Sequence, residues 1–307
     1  MALYERVFPR FRPRRELRPT GSGAGAAMRL QWLGTAGFVI EAAGATLLVD
    51  PFLTRPSIPR LLVRPVVPDD LAIARHVPRK VDAILCGHSH FDHAADAPRI
   101  ARMTGAKLVG SASTCAWGLA EGLPEDRLVR VGPRGATTRF GDVEVRFVPS
   151  KHGRIVFGRV PFPGEVHGLP RTPAPMWRYR MGGAYGILIK APGVTVYHNG
   201  SADLVDAELE GERADVLIAG LAGRKGTERY VPRLLRALDP KLVIPTHHDA
   251  FFAPMERGLF LLPGIDVEGF VSEVHARSEQ ATVITPEYDE PICVPAGDAR
   301  GAVLLAS

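Results

Sequence analysis

The stretch Cys86-Gly87-His88-Ser89-His90-Phe91-Asp92-His93 sets four candidate metal ligands within six residues. His88 and His90 are two positions apart, so on an extended chain both imidazoles project to one side, and Asp92 shares their parity. A turn into a helix can swing His93 back toward the same cavity, so one short segment could serve two neighbouring ions. Imidazole nitrogen and carboxylate oxygen are the donors that zinc and similar ions take at roughly 2.0–2.2 Å. Three of the chain's ten histidines fall here, and that density points to metal rather than to isolated core or surface residues. Asp92 alone would read as a helix N-cap; beside three histidines it reads as a ligand.

The surrounding elements would hold this cluster at the edge of a sheet. Residues 81–85 are an apolar run bounded by charge, a buried strand, and residues 94–103 read as a helix with Pro98 near its first turn. A strand end leading into a helix is where open α/β sheets present their chemistry. Upstream, residues 29–33, 37–41 and 46–50 form a meander of short strands, and Asp69-Asp70 cap a short helix ending at His76. Downstream come a strand at 107–110, a helix at 114–122, a strand at 128–131 and a hairpin turning at Gly141-Asp142. Strands at 184–189, 194–197, 216–220, 242–246 and 281–284 then alternate with helices at 227–238 and 267–276. Segments 81–93 and 242–249 share a layout, an apolar strand whose end delivers His and Asp. Two β-rich halves, each with helices, suggest two similar sheet layers in one domain. Residues 159–181 hold five prolines, His167 and Trp177, a long irregular loop of the kind that serves as a functional lid or a flexible insertion.

Composition narrows the function classes. At 307 residues, 46% hydrophobic and 23% charged, the chain can bury a substantial core, and no apolar run approaches the roughly 20 residues of a membrane helix. The net charge of +5 is uneven: residues 1–27 carry six Arg against Glu5 and Glu16, +4 in all, leaving about +1 for the rest. Residues 1–27 therefore read as a basic, flexible or partly docked extension, and residues 28–307 as a single domain that could begin at Met28. Arg14-Arg15 is followed by no apolar segment, which argues against an export signal. Cys86, Cys115 and Cys293 form no paired spacing, in keeping with a reducing cytoplasm. Without a basic body, nucleic acid is not the expected partner.

Residues 87–93 resemble the signature of the metallo-β-lactamase superfamily. Residues 32–41 and 47–51 are similar to the opening of its branch that contains ascorbate-phosphate lactonase-like hydrolases, a branch that also resembles the phospholipase D acting on N-acyl phosphatidylethanolamines. The resemblance spans about residues 28–290 and implies an α/β (α+β) fold, a four-layer αββα sandwich with metals at one edge of its sheets. It assigns His152 to one ion with His88 and His90, and His247 to a second with Asp92 and His93. Where the family carries a bridging Asp after a strand-end Gly, this chain has Ser201, with Asp203 two residues on. Asp203 is expected to reach back; the alternative is a centre with no bridging carboxylate and a single or labile metal. Asp50 and His248 are expected behind the ligands, Asp50 accepting the outer N–H of a ligating histidine.

The chemistry expected is metal-assisted hydrolysis. A metal-activated water would attack an ester-type bond (a phosphodiester, a lactone or a related linkage), with Asp92 or Asp203 holding the nucleophile and moving its proton. Trp177, Tyr185 and Arg178 are candidates to meet a small, anionic substrate. One or two divalent ions are expected, zinc first, with manganese and iron suited to the same donors. No G-x-S-x-G elbow competes. The alternatives are a nuclease relative and a non-catalytic metal binder with a degraded second site.

Overall fold

Alternation builds the first sheet of the computed structural model, which describes residues 2–155 and 157–305. In Ala26–Gly34 the side chains of Met28, Leu30 and Trp32 are buried, while Arg29 and Gln31 are not, the period of two of a half-covered strand. Gly37–Ala42 and Ala45–Val49 follow antiparallel, with Leu30 opposite Ile40 and Ile40 opposite Leu47. Ala83–Leu85, Lys107–Gly110 and Leu128–Arg130 then add in parallel. Ala83–Leu85 is buried throughout, as expected of a strand covered on both faces.

Among the described residues there are two sheets. The first runs edge to edge as Thr20–Gly21, Val303–Leu305, Pro291–Pro295, Ala26–Gly34, Gly37–Ala42, Ala45–Val49, Ala83–Leu85, Lys107–Gly110 and Leu128–Arg130. The second runs as Thr282–Val283, Leu242–Thr246, Val216–Gly220, Val194–Asn199, Tyr185–Ala191, Val143–Pro149 and Ala136–Phe140. Leu30, Phe38, Leu47 and Val49 of the first sheet share one core with Val145, Phe147, Ile187, Val196, Ile218 and Ile244 of the second. Ile100 and Ala101 of the helix Ala97–Thr104 pack on the outer face of the first sheet. Tyr230–Leu238 and Val267–His275 cover the outer face of the second. The order is helix, sheet, sheet, helix: the αββα sandwich.

Three local features differ from the sequence reading. The helix expected over 94–103 is broken into Phe91–Ala94 and Ala97–Thr104; the second begins where Pro98, lacking an N–H, is tolerated in a first turn. Strands Pro291–Pro295 and Val303–Leu305 were not foreseen, because proline at both ends of the former resembles loop. Its neighbours Ala26–Gly34 and Val303–Leu305 supply the ladder on either side.

The third difference is one of degree: the N-terminal arm, expected to be flexible or partly docked, is docked at several points. Phe8 is buried with Ala250 and Phe260, and Leu17 sits in the outer core of the second sheet. Backbone bonds run alongside: Leu261 N to Pro9 O at 2.9 Å, Phe11 N to Leu259 O at 2.9 Å and Leu304 N to Pro19 O at 2.7 Å. Arg14 and Arg18 pair with Glu268 and Glu290. A composition dominated by Arg, Pro and Gly concealed the apolar anchors Phe8, Phe11 and Leu17. Phe8→Ala should therefore cost about 3 kcal/mol, measured as a lower urea midpoint with an unchanged slope, whereas a loose arm would leave the midpoint where it is.

Candidate metal centre

The cluster hangs on strand ends. Ala83–Leu85 stops at Cys86, and the chain passes through His88 and His90 before the short helix Phe91–Ala94. Val143–Pro149 leads to His152, which forms an isolated β-bridge with Ala202. One donor atom each from His88, His90 and His152 lies within 4.8 Å of the other two. His152 Nδ1 bonds the Gly153 carbonyl at 2.7 Å. Nδ1 therefore carries the proton and Nε2 keeps its lone pair for the cavity. Both ring nitrogens of His88 and Nε2 of His90 are buried without a protein partner. Burial is the main cause that holds His88 well below the ordinary histidine range, His90 at about 4 and His152 at about 3. All three are neutral at pH 7, the state in which imidazole is a ligand.

A second set lies beside it: Asp92, His93 and His247. His93 Nε2 and His247 Nε2 are 3.3 Å apart, His247 Nε2 and Asp92 Oδ2 3.3 Å, and His93 Nε2 and Asp92 Oδ2 3.9 Å. Two donors at about 2.05 Å from one tetrahedral ion stand about 3.3 Å apart, so this set has the spacing of a chelating site. Burial disfavours the Asp92 carboxylate, but His93 and His247 outweigh it and hold the group well below the usual carboxylate range. Burial likewise opposes the charged form of His93, and Asp50 and Asp92 prevail, raising it. Buried imidazoles left without partners lose stability, and a divalent cation among these six side chains removes that deficit. The residues fit a metal.

The sequence matches the beta-lactamase superfamily domain over residues 29–247. The chain belongs to the metallo-β-lactamase superfamily. It is 31% identical over 267 residues to a protein of Pyrobaculum arsenaticum named UPF0173 metal-dependent hydrolase, covering 85% of this chain and 98% of that one. Its fold is similar to that of Igni18, a metallo hydrolase from Ignicoccus hospitalis, with TM-score 0.52, 18% identity and coverage of 86% and 97%. It is also similar to CmlA, a diiron beta-hydroxylase from Streptomyces venezuelae, with TM-score 0.54, 16% identity and coverage of 88% and 54%.

In this member of the superfamily, Asp50 joins both halves of the His88–His93 segment. Its Oδ1 accepts from Gly87 N at 2.7 Å and its Oδ2 lies 2.9 Å from His93 Nδ1. That contact turns His93 Nε2 toward Asp92 and His247. Gly87 is required at its position: a Cβ there would come within 3.0 Å of the Tyr185 carbonyl oxygen. A network that sequence reasoning missed braces His247. His247 holds a φ of 54°, a conformation that costs a non-glycine residue on the order of 1 kcal/mol. Its N–H is held by the Thr35 carbonyl at 2.7 Å, which also accepts from Thr246 Oγ1 and Trp32 Nε1. Thr35 N in turn donates to Asp249 Oδ1 at 2.7 Å. Asp249 Oδ2 takes the Arg55 guanidinium at 2.8 Å and the Tyr288 hydroxyl at 2.9 Å. Arg55 lies in a proline-rich stretch with no periodicity, so nothing local pointed to it.

Other expected residues stand elsewhere. Asp203 does not reach the donors: its Oδ1 accepts from Leu204 N at 2.7 Å and faces Arg233 at 3.5 Å. Ser201 bonds the Lys151 carbonyl through Oγ at 3.0 Å, and its own carbonyl accepts from Gly153 N at 2.7 Å. It thereby fastens the His152 turn instead of approaching an ion. Ala202, between them, adopts a φ of 55°, which turns the chain so that Asp203 leaves the cavity. Tyr185 is a core residue whose hydroxyl bonds the Gly132 carbonyl at 3.0 Å, so it does not line a substrate site. His248 stacks on Trp32 at 4.7 Å, and both its ring nitrogens lack partners; it bonds no ligand. Trp177 and Arg178 lie in the 159–181 loop, lining a cleft of their own.

Two outcomes follow. His88, His90 and His152 are depressed in the fold, so between about pH 6.5 and their folded values the unfolded chain binds more protons. The metal-free protein should lose stability as pH falls from 7 toward 4, seen as a falling Tm; a flat profile would contradict the buried, neutral imidazoles. Asp249→Ala strands a buried guanidinium and should cost roughly 3–5 kcal/mol, with reduced metal stoichiometry by elemental analysis.

Proposed function

We propose that this superfamily member is a metal-dependent hydrolase that cleaves an ester-type bond, a phosphodiester, lactone or related linkage, in a small anionic substrate. The observation that carries the reading is the pair of adjoining donor sets, His88/His90/His152 and Asp92/His93/His247, with both ring nitrogens of His88 and Nε2 of His90 free of protein partners. The name of the Pyrobaculum relative, a metal-dependent hydrolase, supports the hydrolytic part of the reading. Divalent ions, which these two sets would hold, would supply Lewis-acid polarisation of the scissile group and ready deprotonation of water. Zinc suits the nitrogen-rich donors, and manganese or iron suits the set that includes Asp92.

Asp92 is the acid of the centre. Its side chain is partly open, whereas Asp50 is sealed behind His93. Held ionised by its two histidine neighbours, Asp92 orients the attacking water through a hydrogen bond. It accepts the water's proton and returns it to the leaving oxygen. Asp50 keeps the His93 proton on Nδ1, so His93 stays aimed and takes no part in transfer. Asp203, turned to Arg233, is dispensable for this chemistry. The buried, unpaired thiols of Cys86, Cys115 and Cys293 support a reducing cytoplasm, and no described helix is long and apolar enough to cross a membrane.

The test combines metal analysis with a panel of chromogenic phosphodiesters and lactones. His88→Ala/His90→Ala should lose metal and at least 10³-fold activity, Asp92→Asn should lose activity, and Asp203→Asn should change neither property by more than about twofold. Absence of metal from the purified protein, or a fully active double variant, would overturn the proposal. Metal without turnover across the panel would instead indicate a binder.

A further inference from the structure

The 159–181 loop contains a cleft of about 770 Å³ that the donor sets do not line. Its walls carry three guanidiniums, Arg171, Arg178 and Arg180, against one acid, Glu165. Among the described residues none of the three arginines has an ion-pair or side-chain hydrogen-bond partner, and all three are exposed. Gathering three cations in one concavity against a single acid raises the local potential, which an anion relieves. The guanidinium fork matches the paired oxygens of phosphate or carboxylate. Trp177 lies on the same wall and is 42% exposed, while Trp32 and Trp117 are buried. An indole face beside prolines is a platform for a flat ring.

The frame of this cleft is fixed. Val166 N donates to Ser113 Oγ at 2.9 Å, and Val66 N to Ala174 O at 2.8 Å. Tyr179 stacks on Trp117 with centroids 4.1 Å apart. The loop is also tied to the metal centre. Ser89, between His88 and His90, donates through Oγ to the Arg180 carbonyl at 2.7 Å, and the Phe162 ring lies 6.3 Å from that of His90. A pre-formed pocket whose cations need not be reorganised loses little free energy on binding.

We propose that the Arg171/Arg178/Arg180 cleft is a binding site for a phosphate or carboxylate group carried on a planar ring, which lies against Trp177. Resting on the hydrolase reading, it deepens it: the cleft holds the anionic, ring-bearing part of the substrate, remote from the bond cleaved at the Ser89 end of the loop.

Phenylphosphonate, whose carbon–phosphorus bond resists hydrolysis, is the probe, titrated into the full metal-loaded protein. Trp177 is the exposed indole, so its emission and its quenching by acrylamide report the cleft. Phenylphosphonate should change the emission saturably and protect Trp177 from quencher, while benzyl alcohol should do neither. Phenylacetate in place of the phosphonate separates carboxylate from phosphate preference, and saturable binding of either supports the site. Arg171→Ala/Arg178→Ala/Arg180→Ala should weaken binding at least tenfold with circular dichroism unchanged, since these side chains make no bonds in the fold. The triple lysine variant should recover part of the loss, and Arg12→Ala, on the N-terminal arm, should bind like the parent.

The titration is repeated on His88→Ala/His90→Ala. Binding that survives there belongs to the cleft and not to the metals, and it stands whether or not the protein hydrolyses anything. No saturable binding of either anion at millimolar concentration would overturn the proposal. So would unchanged affinity in the triple alanine variant, or loss of binding only when the histidines are replaced.

Discussion

Asp50 makes the contacts on which the centre depends. One carboxylate oxygen receives the Gly87 N–H at the start of the ligand segment, and the other meets the outer nitrogen of His93 at its end. The segment therefore cannot straighten or rotate without breaking one of the two contacts. The Gly87 carbonyl in turn accepts from Tyr185 N at 2.8 Å, which joins the first sheet to the second at the level of the ligands. A carboxylate buried this deeply is costly unless its oxygens are matched by donors; here Oδ1 takes the Gly87 N–H, while Oδ2 lies against the His93 ring without a hydrogen bond. The side chain that orients the metal ligand is thus also part of the joint between the layers.

The two donor sets are unlike in charge. His88, His90 and His152 offer neutral nitrogen only, whereas Asp92, His93 and His247 include a carboxylate and stand in front of Asp50. Asp203 does not stand between them, because the turn after Val194–Asn199 carries it outward to Arg233, whereas Asp50 has an oxygen within 4.8 Å of a ring nitrogen of both His88 and His93. Ser201 has a structural task of its own, fastening the His152 turn through Lys151 and Gly153. His152 of the nitrogen-rich set is consequently held by hydrogen bonds at the end of the second sheet. The set with Asp92 is held by Asp50 and by the Thr35–Asp249–Arg55 brace.

That brace and the N-terminal arm meet on one segment. Residues 249–262 follow His247, and they carry Phe251, which lies 5.7 Å from the His247 ring and also packs against Phe52 and Phe91. The arm presses on the outside of the same segment through Phe8 and Phe11. Packing from outside and ion pairing from inside together hold His247 in its left-handed conformation. A ligand at a strained backbone position needs such support from several directions.

By itself the sequence determined the cluster, the layers and most of the elements. His88, His90, Asp92 and His93 are neighbours in the chain, and a strand ending at Leu85 brings them to a sheet edge whatever the rest does. Period-two and helical patterns are local too, so the meander, the hairpin and the outer helices were legible within a few residues. The tertiary structure decided what depends on distant partners. Asp203 and Ser201 differ by two positions, and in the fold neither meets the donor sets: Ser201 bonds Lys151, and Asp203 turns to Arg233 beyond the left-handed Ala202. Tyr185 looked like a cavity residue until Gly132 took its hydroxyl. Arg55, Asp249 and Tyr288 come from three separate loops and form a buried network only after folding. The arm read as flexible or partly docked because its anchors are few and their pockets, around Phe260 and the second sheet, are made by residues some 250 positions away. Covalent spacing encodes contacts within a turn or two; burial and long-range hydrogen bonding exist only when the whole chain has closed.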